Sequence, residues 1–115
     1  MERYVFGWFK SSVKSLTPSE AHQRHRAGEI HLVDVREVGE WRQARVPGAI
    51  LLPLSTMTES RLKELPNGKP VVFYCRSGAR SSQALSLCKR LGLPHDHHVA
   101  GGVMAWASAG LPIEK

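Results

Sequence analysis

The stretch Val71-Val72-Phe73-Tyr74-Cys75-Arg76-Ser77-Gly78-Ala79-Arg80-Ser81-Ser82 changes character at its middle. Its first four residues are apolar and β-prone and follow Pro70. That is the pattern of a strand buried on both faces, as in a parallel sheet. From Ala79 the spacing turns helical, with Ala84, Leu85, Cys88 and Leu91 on one face. A cysteine therefore stands at the C-terminal end of a central strand, just before a helix. Open α/β sheets bind ligands at that place. A helix N-terminus also presents unpaired N–H groups and a positive end, and both favour a thiolate over a thiol.

A cysteine at a strand end is ordinarily a small buried hydrophobe. The neighbours of Cys75 argue for chemistry instead. Arg76 and Arg80 bring two cations close to the sulfur in sequence. Ser77, Gly78 and Ala79 are small enough for the backbone to curl around a ligand, and consecutive N–H groups in such a curl form an anion-binding nest. Cys88, on the apolar face of the following helix, reads as buried. As a resolving thiol it would need its Cα within about 7 Å of that of Cys75, and the intervening helix stands against this.

Working outward, residues 30–35 form the next strand, and Asp34, Arg36 and Glu37 cluster at its C-terminal end. Those three read as an ion-pair network that supports the cysteine loop. Residues 37–42 suit a short helix carrying Trp41, and residues 49–52 a short strand after the Pro47-Gly48 turn. Ser55 or Thr58 caps a helix bearing Leu62 and Leu65. Thr17, Pro18 and Glu20 make a capping box for a first helix that stops at Gly28. Beyond the central helix, residues 97–100 read as a last strand. Gly101-Gly102 follows, then a short helix with Val103 and Trp106. Strands alternate with helices at least four times, which implies one α/β domain whose mostly parallel sheet is covered on both faces. Trp41 and Trp106 are expected in the core.

Composition narrows the function. The chain has 115 residues with 42% hydrophobic and 23% charged, enough for a single core. A net charge of +6 suits anionic substrates. The basic residues are scattered, so no specific nucleic-acid surface is expected. Two cysteines make neither a disulfide framework nor a zinc motif, and a reducing, cytoplasmic setting is the simpler inference. No metal site is expected. His22 and His25 lack further ligands, and His95, Asp96, His97 and His98 would alternate across a strand instead of converging. Tyr4, Phe6, Trp8 and Phe9 set residues 1–13 apart as an aromatic arm that packs over the domain's edge. Its other reading is a weak contact of residues 1–10 with a membrane or a partner.

Asp34-Val35-Arg36 with Glu37 and Trp41, Pro47-Gly48-Ala49-Ile50, the loop from Cys75 to Arg80, and Gly101-Gly102 with Trp106 and Gly110-Leu111-Pro112 together resemble the rhodanese-domain family, in particular its single-domain sulfurtransferases acting on thiosulfate. The resemblance covers residues 14–115. It implies a five-stranded parallel sheet with helices on both faces and a cysteine-based active-site loop without a cofactor. The family often has His-Ile before the Pro-Gly turn. Arg45-Val46 stands there in this chain, and a local effect is expected.

The chemistry agrees with the resemblance. A Cys75 thiolate would attack the outer sulfur of thiosulfate or of a persulfide donor and form a persulfide. A thiol acceptor (a small molecule or a thioredoxin-like protein) or cyanide would then remove that sulfur. The loop of Arg76, Ser77, Gly78, Ala79 and Arg80 would bind the substrate, its N–H groups holding the charge. The two guanidinium groups would either meet the donor's sulfonate or brace the loop through buried carbonyls or Asp34. Asp34 and Arg36 would support the loop. Two other classes are a phosphatase and a non-catalytic interaction module of the same fold. Phosphatase relatives place five residues between Cys and Arg. Four separate Cys75 from Arg80, a cradle better matched to one sulfur than to a phosphate.

Overall fold

The computed structural model describes residues 14–115, so the aromatic arm lies outside the described residues. In chain order the elements are β1 (Lys14–Leu16), α1 (Pro18–Arg26), β2 (His31–Asp34), α2 (Val38–Gln43), β3 (Ile50–Leu51), α3 (Glu59–Lys63), β4 (Val71–Tyr74), α4 (Ala79–Arg90), β5 (His97–Val99) and α5 (Gly102–Ser108). The five strands form one parallel sheet in the order β1-β5-β4-β2-β3. This is the five-stranded parallel α/β architecture that the family resemblance implies.

Strand β4 is central, and all four of its residues are buried. Its side chains alternate between two cores, as strand geometry requires. Val71 and Phe73 join Val33, Leu62, Ala84, Leu85 and Cys88 beneath α3 and α4. Val72 and Tyr74 join Leu32, Ala21, Val99 and Trp106 beneath α1 and α5. Register aligns Asp34 with Tyr74, so β2 and β4 end level and Cys75 emerges at the shared C-terminal edge. None of the described helices is long and apolar enough to cross a membrane.

Local chemistry sets the helix ends. Thr17 accepts from the Glu20 N–H at 3.1 Å while Glu20 accepts from the Thr17 N–H at 2.9 Å, completing the capping box of α1. Thr58, not Ser55, caps α3, accepting from the Arg61 N–H at 3.1 Å. Ser55 lies in a short 3₁₀ turn and its hydroxyl donates to Glu37.

Three features depart from the sequence reading. Strand β1 was not expected, because Lys14-Ser15-Leu16 has one apolar residue and no periodicity. It exists through pairing with β5, Lys14 opposite His97 and Leu16 opposite Val99. Trp41 is only half-buried, with the Arg45 guanidinium 5.3 Å from its ring centre. Arg45, at the position where the resemblance breaks, also pairs with the C-terminal segment. Its backbone exchanges two 2.9 Å hydrogen bonds with Glu114, and its Nε donates to Glu114 Oε2 at 3.1 Å.

Trp106 does lie in the core, 2% exposed, and its indole N–H donates to the Pro112 carbonyl at 2.8 Å. Trp106→Ala empties the space between α5 and the sheet and frees that carbonyl. It should cost about 3–5 kcal/mol, read as a lower urea midpoint with an unchanged slope.

Candidate active site

Cys75 is the first residue after β4 and is 1% exposed. Its sulfur accepts the Gly78 N–H at 3.0 Å and lies 3.6 Å from the Ser81 hydroxyl oxygen. The loop closes this tightly because Gly78 sits at φ 119°, in the left-handed region that favours glycine. Burial alone would push the thiol's pKa up. The polar groups around the sulfur, first the Ser81 amide and hydroxyl and then the Gly78 and Ser77 amides, favour the anion, outweigh burial and hold Cys75 below its ordinary value. Cys88 has no such partners, and burial pushes it up to about 11. It packs in the core and takes no part in the loop.

The loop is held from below by α5. The Val103 N–H donates to the Cys75 carbonyl at 2.8 Å, and the Met104 N–H to the Arg76 carbonyl at 3.0 Å. This approach requires Gly102. A Cβ there would lie 2.4 Å from the Cys75 carbonyl oxygen, and the backbone has φ +63°.

From the side the loop is held by α2. Arg80 makes a two-pronged ion pair with Glu40 at 2.6 and 2.9 Å. The Arg80 hydrogen bond is the first cause of a Glu40 carboxyl held at about 2. Arg36 is buried and grips the fully buried Asp34 through Nε and Nη2 at 2.8–3.1 Å. Its Nη2 also donates to the Ala44 carbonyl at 2.7 Å, just after α2. Asp34 and Arg36 thus make their hydrogen bonds with each other and with α2, and α2 reaches the loop through Glu40.

The sequence-derived residues fall into two groups. Cys75, Ser77, Gly78 and Arg76 come together at the sheet edge, with Arg76, Ser77 and Ala79 exposed. Arg80 points its guanidinium at Glu40, away from the carbonyls and the Asp34 carboxylate considered for it. Three partners were not picked out from the sequence: Glu40, Gly102 as the seat of the loop, and His98, whose Nδ1 lies 2.8 Å from the Ser81 oxygen. The histidines near the last strand diverge. His95 meets the Phe73 ring edge-on, His97 pairs with Asp96, and His98 faces Ser81. His22 lies against Trp106.

A profile of the Rhodanese-like domain matches residues 17–109. The chain belongs to the rhodanese-like domain family. A protein named "Sulfurtransferase" from Allochromatium vinosum is 41% identical over 85 residues, covering 74% of this chain and 78% of that one. The probable adenylyltransferase/sulfurtransferase MoeZ of Mycobacterium tuberculosis is 35% identical over 100 residues, which are 85% of this chain and only 26% of that longer protein. The crystal structure of a rhodanese-related protein from Thermoplasma volcanium superposes with a TM-score of 0.76 at 27% identity, covering 88% of this chain and 97% of that one.

Two outcomes follow from how this rhodanese-like loop is held. Gly102→Ala should cost at least about 1 kcal/mol from the left-handed backbone. It should also push the loop off α5, so that iodoacetamide alkylates Cys75 with a higher apparent pKa. The second outcome concerns acid. The carboxyl of Glu40 is depressed in the folded state, so its pair with Arg80 is fully stabilising above the unfolded carboxyl pKa of about 4.3. That contribution is lost as pH falls toward about 2. Between pH 5.5 and 2.5 the urea midpoint of the wild type should fall further than that of Glu40→Gln.

Proposed function

We propose that this rhodanese-like domain is a sulfurtransferase that carries a sulfane sulfur on Cys75. The observation behind this reading is the cradle itself. A buried sulfur at the start of α4 accepts the Gly78 N–H at 3.0 Å in a loop that lowers its pKa. Such a site favours an anionic sulfur, either the free thiolate or the terminal atom of a persulfide. The names of the similar proteins support the same class of reaction.

The steps follow from that preference. The Cys75 thiolate attacks the outer sulfur of thiosulfate, the S–S bond of the donor breaks, and sulfite leaves with the electron pair. Three negative charges enter and three remain, now on sulfite and the Cys75 persulfide. An acceptor thiolate, from a small molecule or a thioredoxin-like protein, attacks the terminal sulfur and returns Cys75 to the thiolate. Cyanide does the same and gives thiocyanate. One difficult transfer becomes two easier ones, and neither needs a cofactor. The loop N–H groups hold the negative charge throughout.

Arg76 is the donor-binding cation of this reading, exposed at the loop where a sulfonate would sit. Arg80 braces the loop through Glu40 instead. The four residues between Cys75 and Arg80 leave less room than a phosphate-binding loop offers. A reducing, cytoplasmic setting suits a free reactive thiol.

Incubation with thiosulfate, without acceptor, should add one sulfur atom, and peptide mapping should find it on Cys75. Cyanide or a thiol should remove it. Cys75→Ser should abolish turnover, and Cys88→Ser should leave it nearly intact. Arg76→Ala should raise KM for thiosulfate far more than for an uncharged persulfide. Sulfur found on Cys88, or turnover surviving in Cys75→Ser, would overturn the mechanism. Hydrolysis of an aryl phosphate without sulfur transfer would move the chain to the phosphatase class.

A further inference from the structure

We propose that His98 is a positioning residue for Cys75: acting through Ser81, it takes up the thiol's proton and turns the Ser81 hydroxyl toward the thiolate. The inference rests on Cys75 being the reactive thiol of the proposed reaction and adds the group that controls its ionisation.

Topology brings the three residues together. Strand β5 runs beside β4 with His98 opposite Phe73 and His97 opposite Val72. Paired residues of neighbouring strands share a face, so the His98 ring lies on the side of Phe73 and Cys75. Ser81, in the first turn of α4, is fully buried between them. Its oxygen is 2.8 Å from His98 Nδ1, 3.1 Å from the Gly78 carbonyl and 3.6 Å from the Cys75 sulfur.

A hydroxyl has one proton and two lone pairs. Three neighbours surround it, and only the Gly78 carbonyl is bound to accept. When Nδ1 is bare it takes the hydroxyl proton over the shortest of the three distances. The sulfur then keeps its own proton, directed at the Ser81 oxygen. When Nδ1 carries a proton it donates to that oxygen, and the hydroxyl proton is free for the sulfur. A thiolate attracts it over the neutral Gly78 carbonyl, because a charged acceptor makes the stronger bond.

The two arrangements interconvert by moving protons alone. The thiol proton passes to the Ser81 oxygen as the hydroxyl proton passes to Nδ1. Thiol and neutral imidazole become thiolate and imidazolium, with no change in total charge. Loss of the Nε2 proton to water leaves the same Nδ1–H donor on a neutral ring. Among the described residues no competing charge acts on His98 on this face. From β4 come Phe73 and Cys75, from β1 Ser15, and from α4 Ser81 and the Cys88 thiol. Arg80 is turned to Glu40, His95 lies against Phe73, and His97 pairs with Asp96, which also pairs with Lys14. Burial holds His98 below its ordinary pKa, so near neutral pH it is available as a base.

The test is the pH dependence of Cys75 alkylation by iodoacetamide, followed by peptide mass, which needs no sulfur donor. His98→Phe should raise the apparent pKa of Cys75 by about one unit, and so slow alkylation about tenfold below that pKa. Ser81→Ala should raise it at least as much, and the double variant should match Ser81→Ala alone. His98→Asn, which puts an amide donor near the place of Nδ1, should restore a low pKa. An independent reading uses the unaltered chain. Capping Cys75 with methyl methanethiosulfonate should change the ¹⁵N shift of His98 Nδ1 from a proton-bearing to a bare nitrogen, since coupling between two sites is reciprocal. An unchanged Cys75 titration in His98→Phe, or a His98 resonance indifferent to capping, would overturn the proposal. An altered titration in a chain that transfers no sulfur would overturn the proposed reaction and leave this inference standing.

Discussion

Two backbone hydrogen bonds set the geometry of the site: Val103 and Met104, in the first turn of α5, donate to the carbonyls of Cys75 and Arg76. A peptide unit is planar, with its C=O and N–H pointing in opposite directions. Turning two consecutive carbonyls toward α5 therefore turns the N–H groups of Arg76 and Ser77 the other way. The Ser77 amide is among the groups that favour the Cys75 thiolate. The cradle is thus made largely of main chain, and its shape depends on how closely α5 approaches. Gly102 permits that approach. The same helix carries Trp106 into the core on the other side of the sheet, so burial of an apolar ring and orientation of the loop belong to one element.

A second layer holds the loop laterally. Asp34 and Arg36 are both buried, and a buried pair is stable only when its remaining hydrogen-bonding capacity is met. Here Arg36 also binds the Ala44 carbonyl, and Asp34 also accepts the Arg36 amide at 2.9 Å. The pair fixes a helix of only six residues, too short to hold itself in water. That helix presents Glu40, and Glu40 keeps Arg80 still. The two loop arginines differ for this reason. One has a carboxylate built for it, and the other is left to solvent.

The parts of this arrangement legible in the sequence are those encoded within a dozen residues. The change from apolar run to small residues to helical spacing around Cys75 is local, and it located the central strand, the loop and α4. The capping box at Thr17 is local too. The parts that escaped depend on contacts across the chain. Glu40 meets Arg80 across forty positions and His98 meets Ser81 across seventeen, and neither residue carries a signal in its own neighbourhood. Lys14-Ser15-Leu16 has no strand pattern and is extended only because β5 offers it an edge. Trp41 shows the same limit, since an aromatic ring in a short helix is apolar whether a core or an arginine covers it. The divergence of His97 and His98 was readable, because alternation is a property of every strand. Which of the two would face the cysteine was not, because that depends on the register of β5 against β4.

The Arg45–Glu114 clasp has a mechanical consequence. Its paired backbone hydrogen bonds join the last residues to the stretch just after α2, and Arg45 also donates to the Trp41 carbonyl within that helix at 3.1 Å. A load applied to residues 111–115 would not act on a loose end. It would travel through the clasp into α2, from α2 through Glu40 to Arg80, and so into the first turn of α4. A second route is shorter: the Trp106–Pro112 hydrogen bond passes the same load to α5, whose Val103 and Met104 amides hold the carbonyls of Cys75 and Arg76.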